Sequence, residues 1–110
     1  MKDYLKQILI DKQIEIKGKE AYDIFSTRKS IQHIRDMLYV AGKILVEDID
    51  NKIYVASIRV GCMSLNEAIV VIKLQEDMVY VYSVANEGII NQRCSDKAIQ
   101  KIRKELIYEE

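Results

Sequence analysis

From Lys43 to Ala85 the chain is dominated by Val, Ile and Tyr in runs separated by short polar breaks, the residue types that fit a pleated surface. Four strands are expected, at Lys43–Ile49, Lys52–Val60, Glu67–Gln75 and Met78–Ala85, with tight turns at Asp50-Asn51 and Glu76-Asp77 and a longer loop over Gly61–Asn66. Connections this short join antiparallel neighbours, so the sheet is a meander. A competing signal lies inside it. Ser64-x-x-Glu67 has the form of a helix capping box, which would turn Leu65–Gln75 into a helix. The consecutive β-branched run Ile69-Val70-Val71-Ile72 decides for a strand.

On either side of the sheet the periodicity is helical. After Ser26-Thr27, which can cap a helix, Ile31, Ile34, Leu38 and Ala41 form a stripe at spacings of three and four. Gly42 then offers the left-handed position that commonly ends a helix. A last helix is expected after Ser95 as N-cap, with Asp96 in its first turn and Ala98, Ile99, Ile102 and Leu106 as its buried stripe. The N-terminal segment reads as a short helix from Asp3 to Asp11, a strand over Gln13–Lys17 and a turn at Lys17-Gly18. Ala21–Phe25 then reads either as a returning strand or as the start of the next helix. The fold class is α+β: an antiparallel meander of four or more strands packed with two to three helices.

At 110 residues, with no Pro/Gly/Ser-rich linker and no internal repeat, the whole of 1–110 reads as one domain. Apolar residues make up 49% and charged residues 31%, enough to form a core beneath a solvated exterior. Lys plus Arg balances Asp plus Glu at 17 each, so no global field draws the chain to a polyanion or an anionic membrane. No apolar run approaches the roughly 20 residues of a membrane span, and the Met1–Gln7 segment lacks the apolar core of a signal peptide. A cytoplasmic location, with Cys62 and Cys94 as reduced thiols, is the expectation.

The strand faces carry the main functional signal. A two-residue turn at Glu76-Asp77 sets Leu74, Ile72, Val70 and Ala68 opposite Val79, Val81, Ser83 and Ala85 on one face. The other face carries Lys73 with Tyr80, Val71 with Tyr82, Ile69 with Val84, and Met78. In the strand before, Tyr54, Ala56, Ile58 and Val60 share one side, and Ile53, Val55, Ser57 and Arg59 the other. An antiparallel sheet with apolar groups on both faces needs two covers. The chain's own helices are the first candidate for the second cover. A second copy or a protein partner docking on Tyr54, Met78, Tyr80 and Tyr82 is the functional one, since Tyr and Met are enriched at interfaces.

Other residues carry less. His33 is the single histidine and cannot make a multi-histidine metal site; no metal site or cofactor is expected. Cys62 in a loop, or Cys94 before the last helix, could serve as a nucleophile, but no base or oxyanion site accompanies either. Glu47, Asp48 and Asp50 match no calcium loop and read as a solvated turn. The isolated glycines form no phosphate loop. Arg93, Lys97, Lys101 and Lys104 make a basic stripe on the last helix, the one place where nucleic acid or another polyanion could bind.

The expectation is therefore a small non-catalytic interaction or regulatory protein, working through an amphipathic sheet face or an exposed strand edge, with a homodimer as one form. Two alternatives stand beside it: polyanion binding on the last helix, and a small-ligand protein or enzyme with a cavity between sheet and helices.

Overall fold

The structure is a computed structural model, and it describes residues 1–60, 66–86 and 93–109. Five antiparallel strands form one sheet flanked by three helices. In chain order the elements are α1 (Lys2–Asp11), β1 (Lys19–Ser26), α2 (Ile31–Ala41), β2 (Gly42–Asp48), β3 (Ile53–Val60), β4 (Asn66–Gln75), β5 (Met78–Ala85) and α3 (Cys94–Leu106). The sheet order is β1-β5-β4-β3-β2, so the expected meander of β2 to β5 is present and β1 adds to its far side.

The register of the last hairpin is the one the turn length dictates: Leu74 opposes Val79, Ile72 opposes Val81, Lys73 opposes Tyr80 and Val71 opposes Tyr82. Glu76 takes a left-handed φ of 57° in that turn. The segment that could have been a helix after Ser64 is strand β4 from Asn66 onward, as its β-branched run requires.

Five local expectations need correction. The strand expected over 13–17 does not form. Gln13 adopts φ 59°, its N–H donates to the Ile10 carbonyl and that of Ile14 to the Leu9 carbonyl, so α1 ends in a Schellman turn with Gln13 in the place glycine usually holds. Ile14 and Ile16 then pack as irregular chain on the side of the sheet beneath α1. Residues 21–25 belong to β1, whose eight residues pair with β5 from Lys19 opposite Ala85 to Ser26 opposite Met78, and not with the preceding segment. Helix α2 is capped by Ser30, whose Oγ accepts from the His33 N–H at 3.2 Å, and not by Ser26-Thr27. Gly42 is not left-handed: at φ −177° it is the first residue of β2. Ser95 lies buried inside the first turn of α3, which starts at Cys94 after Arg93 in a left-handed conformation.

The sheet has two cores, and this chain supplies both covers. On one face α2 and α3 bury Ile34, Leu38, Ala98, Ile102 and Leu106 against Tyr54, Ala56, Ile58, Val70 and Val81. On the other, α1 lies across β4 and β5 and buries Leu5 and Leu9 against Val55, Val71, Tyr82 and Val84. One hydroxyl in the first core, that of Ser83, is buried without a hydrogen-bond partner.

The free edges differ. Beside β1, the residues after α3 return along the strand end: Tyr108 N–H donates to the Ser26 carbonyl at 2.8 Å, and Thr27 bridges to Ile107. Thr27, itself buried, donates its hydroxyl to the Leu106 carbonyl, and the Arg28 guanidinium sits 3.9 Å above the Tyr108 ring. Asp23 on the same strand accepts the Ile24 N–H and holds Arg103 at 2.8 Å. At the opposite edge, β2 carries a β-bulge between Ile44 and Val46, which leaves Leu45 outside the ladder.

Candidate functional site

The four residues expected to form a partner surface are not together. Tyr54 is buried under α2, where its hydroxyl donates to Glu47 at 3.2 Å. Tyr82 is buried on the opposite face, under α1. Tyr80 is half-buried beside Tyr82, and Met78 is half-buried at the start of β5, opposite Ser26. In the folded chain Tyr54 and Tyr82 are packing residues that present no side-chain surface.

What surrounds Tyr82 is a polar latch for α1. The phenol donates to Glu20 at 2.5 Å, and Lys6 of α1 reaches the same carboxylate at 3.1 Å. Burial, and then the bond to Glu20, push the Tyr82 hydroxyl well above its ordinary pKa. The Tyr82 and Lys6 hydrogen bonds hold the Glu20 carboxyl below its ordinary value. A carboxyl so lowered contributes stability that is fully present above its ordinary pKa and is lost as pH falls through the folded value. Glu20→Gln is therefore expected to lower the melting temperature by roughly 4–8 °C at neutral pH, for a loss of about 1 kcal/mol, and to cost progressively less in acid as the wild-type carboxyl is protonated. Thermal melts across that range check it; a difference constant with pH would contradict the latch.

The basic stripe of α3 is where its spacing put it. Lys97, Lys101 and Lys104 are exposed. Arg93 is engaged with Asp96 at 3.1 Å, and Lys101 shares a groove with Glu105 and Asp36, so the stripe is interrupted by acids. His33 lines that same groove between α2 and α3. Cys94 is buried at the start of α3, where no solution reagent reaches it. Cys62 lies outside the described residues. Glu47 is tied to Arg35 at 3.0 Å and Asp48 to the Asn51 N–H and side chain, which makes these carboxylates parts of the β2–β3 turn region. Among the described residues no three metal-ligating side chains gather at one point.

The surface that stands out is one the sequence reading passed over, the side of the molecule along β2. Of the eight large apolar residues exposed among the described ones, four fall between positions 39 and 49: Tyr39 at 71%, Val40 at 79%, Leu45 at 40% and Ile49 at 62%. Each has a local cause. Ile34 and Leu38 fix which face of α2 is buried, and this turns Tyr39 and Val40 outward on the last turn. The bulge lifts Leu45 from the ladder, and Ile49 sits in the turn that follows. Val40 lines the groove between α2 and α3, and two further open grooves hold the other three. One, of about 680 Å³, runs past Tyr39 and Leu45 and is lined by Arg35, Lys43 and Arg59, with Glu47. The other, of about 530 Å³, has an apolar floor of Tyr4, Ile8, Val46 and Ile53 and a rim of Asp11, Asp48 and Asp50, with Glu47 again and Lys12. The signal available in the sequence was Tyr39-Val40, two apolar residues off the buried stripe of their helix.

No protein-family model, no curated protein and no solved structure matches this chain.

Proposed function

We propose that the chain is a non-catalytic protein-interaction module whose binding surface is the β2 side: the last turn of α2, the bulged edge strand and the turn after it. The observation that carries this is that exposed Tyr39, Leu45 and Ile49 line two grooves along β2 that share Glu47, on a molecule whose two sheet faces are already filled by its own helices. Scattered exposed apolar residues need no explanation, whereas exposed apolar residues lining neighbouring grooves bordered by charge have the form that docking surfaces take. The strand-edge form of an interaction protein suits this geometry better than the sheet-face form, because α1 occupies the face of Tyr80 and Tyr82.

A photoreactive phenylalanine analogue at position 39, irradiated in extract of the native host, is expected to give covalent protein adducts. The same probe at Gln100, exposed on α3, is the control. Adduct yields from position 39 no higher than from position 100 would remove the proposal.

A further inference from the structure

The β2 side is not uniform in charge, and the way it divides identifies an occupant. Resting on the reading that this side is the binding surface, we propose that it binds a second copy of itself, the two β2 edges lying antiparallel about a two-fold axis near Leu45. The groove at the Gly42 end is lined by Arg35, Lys43 and Arg59 against Glu47. The groove at the Ile49 end is lined by Asp11, Glu47, Asp48 and Asp50 against Lys12. Among the described residues Lys43, Arg59 and Asp50 have no ion-pair partner, whereas Arg35 and Glu47 satisfy each other and Lys73 is engaged with the Asn51 carbonyl and the Tyr4 ring. One end of the edge is thus basic, with exposed Tyr39 in its groove, the other acidic, and exposed Leu45 lies between them in the strand.

An acidic segment laid along the whole edge would meet attraction at one end and repulsion at the other, and a basic segment the reverse. A second copy in parallel would set like against like at both ends. Only the antiparallel, two-fold arrangement sets basic against acidic twice, with Leu45 on Leu45 at the centre, which is the self-complementarity an isologous interface requires. The bulge limits how far the backbones can pair. It places Lys43, opposite Ser57, and Glu47, opposite Tyr54, on different faces of the sheet, so no unbroken ladder passes through Leu45. The contact is accordingly one of side chains and end charges more than of a continuous strand. The same geometry explains why association stops at two: the other edge is blunted by Asp23, Arg103 and the returning residues Ile107 and Tyr108.

Sedimentation equilibrium on the full chain tests this. The wild type is expected to dimerise, with affinity falling as salt rises from about 0.1 M to about 1 M. Lys43→Glu/Arg59→Glu has two acidic ends, and Asp11→Lys/Asp50→Lys two basic ends. Each alone is expected to dimerise at least about tenfold more weakly, and an equimolar mixture to recover most of the loss as a heterodimer. Leu45→Arg should abolish dimers; Ile49→Lys, in an exposed turn and facing the basic end of the second copy, serves if that variant does not fold. A wild type that is monomeric up to about 1 mM, dimers indifferent to both the Leu45 and the Ile49 substitution, or a mixture no tighter than its components would each overturn the proposal. Adducts from position 39 to a different protein, with a monomeric wild type, would overturn the self-association and leave the interaction reading standing. Absence of any adduct would end both.

Discussion

Gly42→Ala is expected to cost at least about 3 kcal/mol, a large part of the roughly 5–15 kcal/mol that holds a domain of this size. The reason is not conformational freedom, since φ −177° is extended backbone open to any residue. It is proximity: a Cβ at this position would lie 1.9 Å from the Ser57 carbonyl oxygen and 2.9 Å from its carbon. Those are backbone atoms of β3, which cannot rotate aside, so relief requires parting β2 from β3 where Gly42 pairs with Ile58. The chain must turn there from a helix directly into a strand, because Ala41 ends α2 and Gly42 begins β2 with nothing between them. Gly42→Asn separates this cause from the one the sequence suggested. A left-handed helix end tolerates Asn, whereas a close approach rejects it as it rejects Ala. Urea unfolding of both variants reads the difference; an Asn variant close to wild type would return Gly42 to the role of a helix stop.

That contrast shows what was legible in the sequence and what was not. The β4–β5 hairpin could be read residue by residue, since turn length and alternation fix a register by local rules alone, and every pair from Leu74–Val79 to Ile69–Val84 follows. Helix α3 could be read from its own periodicity, apart from its start, which lies two residues earlier than Ser95 as N-cap would put it. The failures are non-local. Ile14 and Ile16 alternate like a strand, but they serve as packing against the core under α1 after a helix stop made by Gln13, a residue with no obvious signature for it. Which Ser or Thr caps α2 depended on where β1 ends, and β1 ends where its pairing with β5 ends. The candidate surface was missed on the same grounds. A bulge is a mismatch between two strands, so Leu45 looks like any other strand residue until the register with β3 is known. Tyr54 and Tyr82 looked like docking residues because the sequence could show that both faces are apolar, and not that α1 is placed to cover one of them.

The cover itself can be removed. Leu5→Ala/Leu9→Ala leaves every strand untouched and deletes the two α1 side chains buried against Val55, Val71, Tyr82 and Val84. A buried Leu→Ala costs about 2–5 kcal/mol, and two on one short helix are coupled, so the pair is expected to cost about 4–8 kcal/mol, comparable with the whole stability of the fold. Helix α1 has ten residues and could not persist undocked, so its detachment is close to all-or-none. Two outcomes are then distinguishable by dye binding and light scattering. If α1 is the sole device masking that face, the variant binds a hydrophobic dye strongly and aggregates through the apolar sheet face it has uncovered. If it stays monomeric with native-like near-ultraviolet dichroism and no dye binding, the face is held by the returning chain of Ile14 and Ile16, and α1 is dispensable. The first is expected, because Ile14 and Ile16 are only partly buried whereas Leu5 and Leu9 are fully so. The latch of Lys6, Glu20 and Tyr82 makes the same point from the polar side: it joins α1 to β1 and β5 across their shared face, and it has no purpose unless α1 stays down.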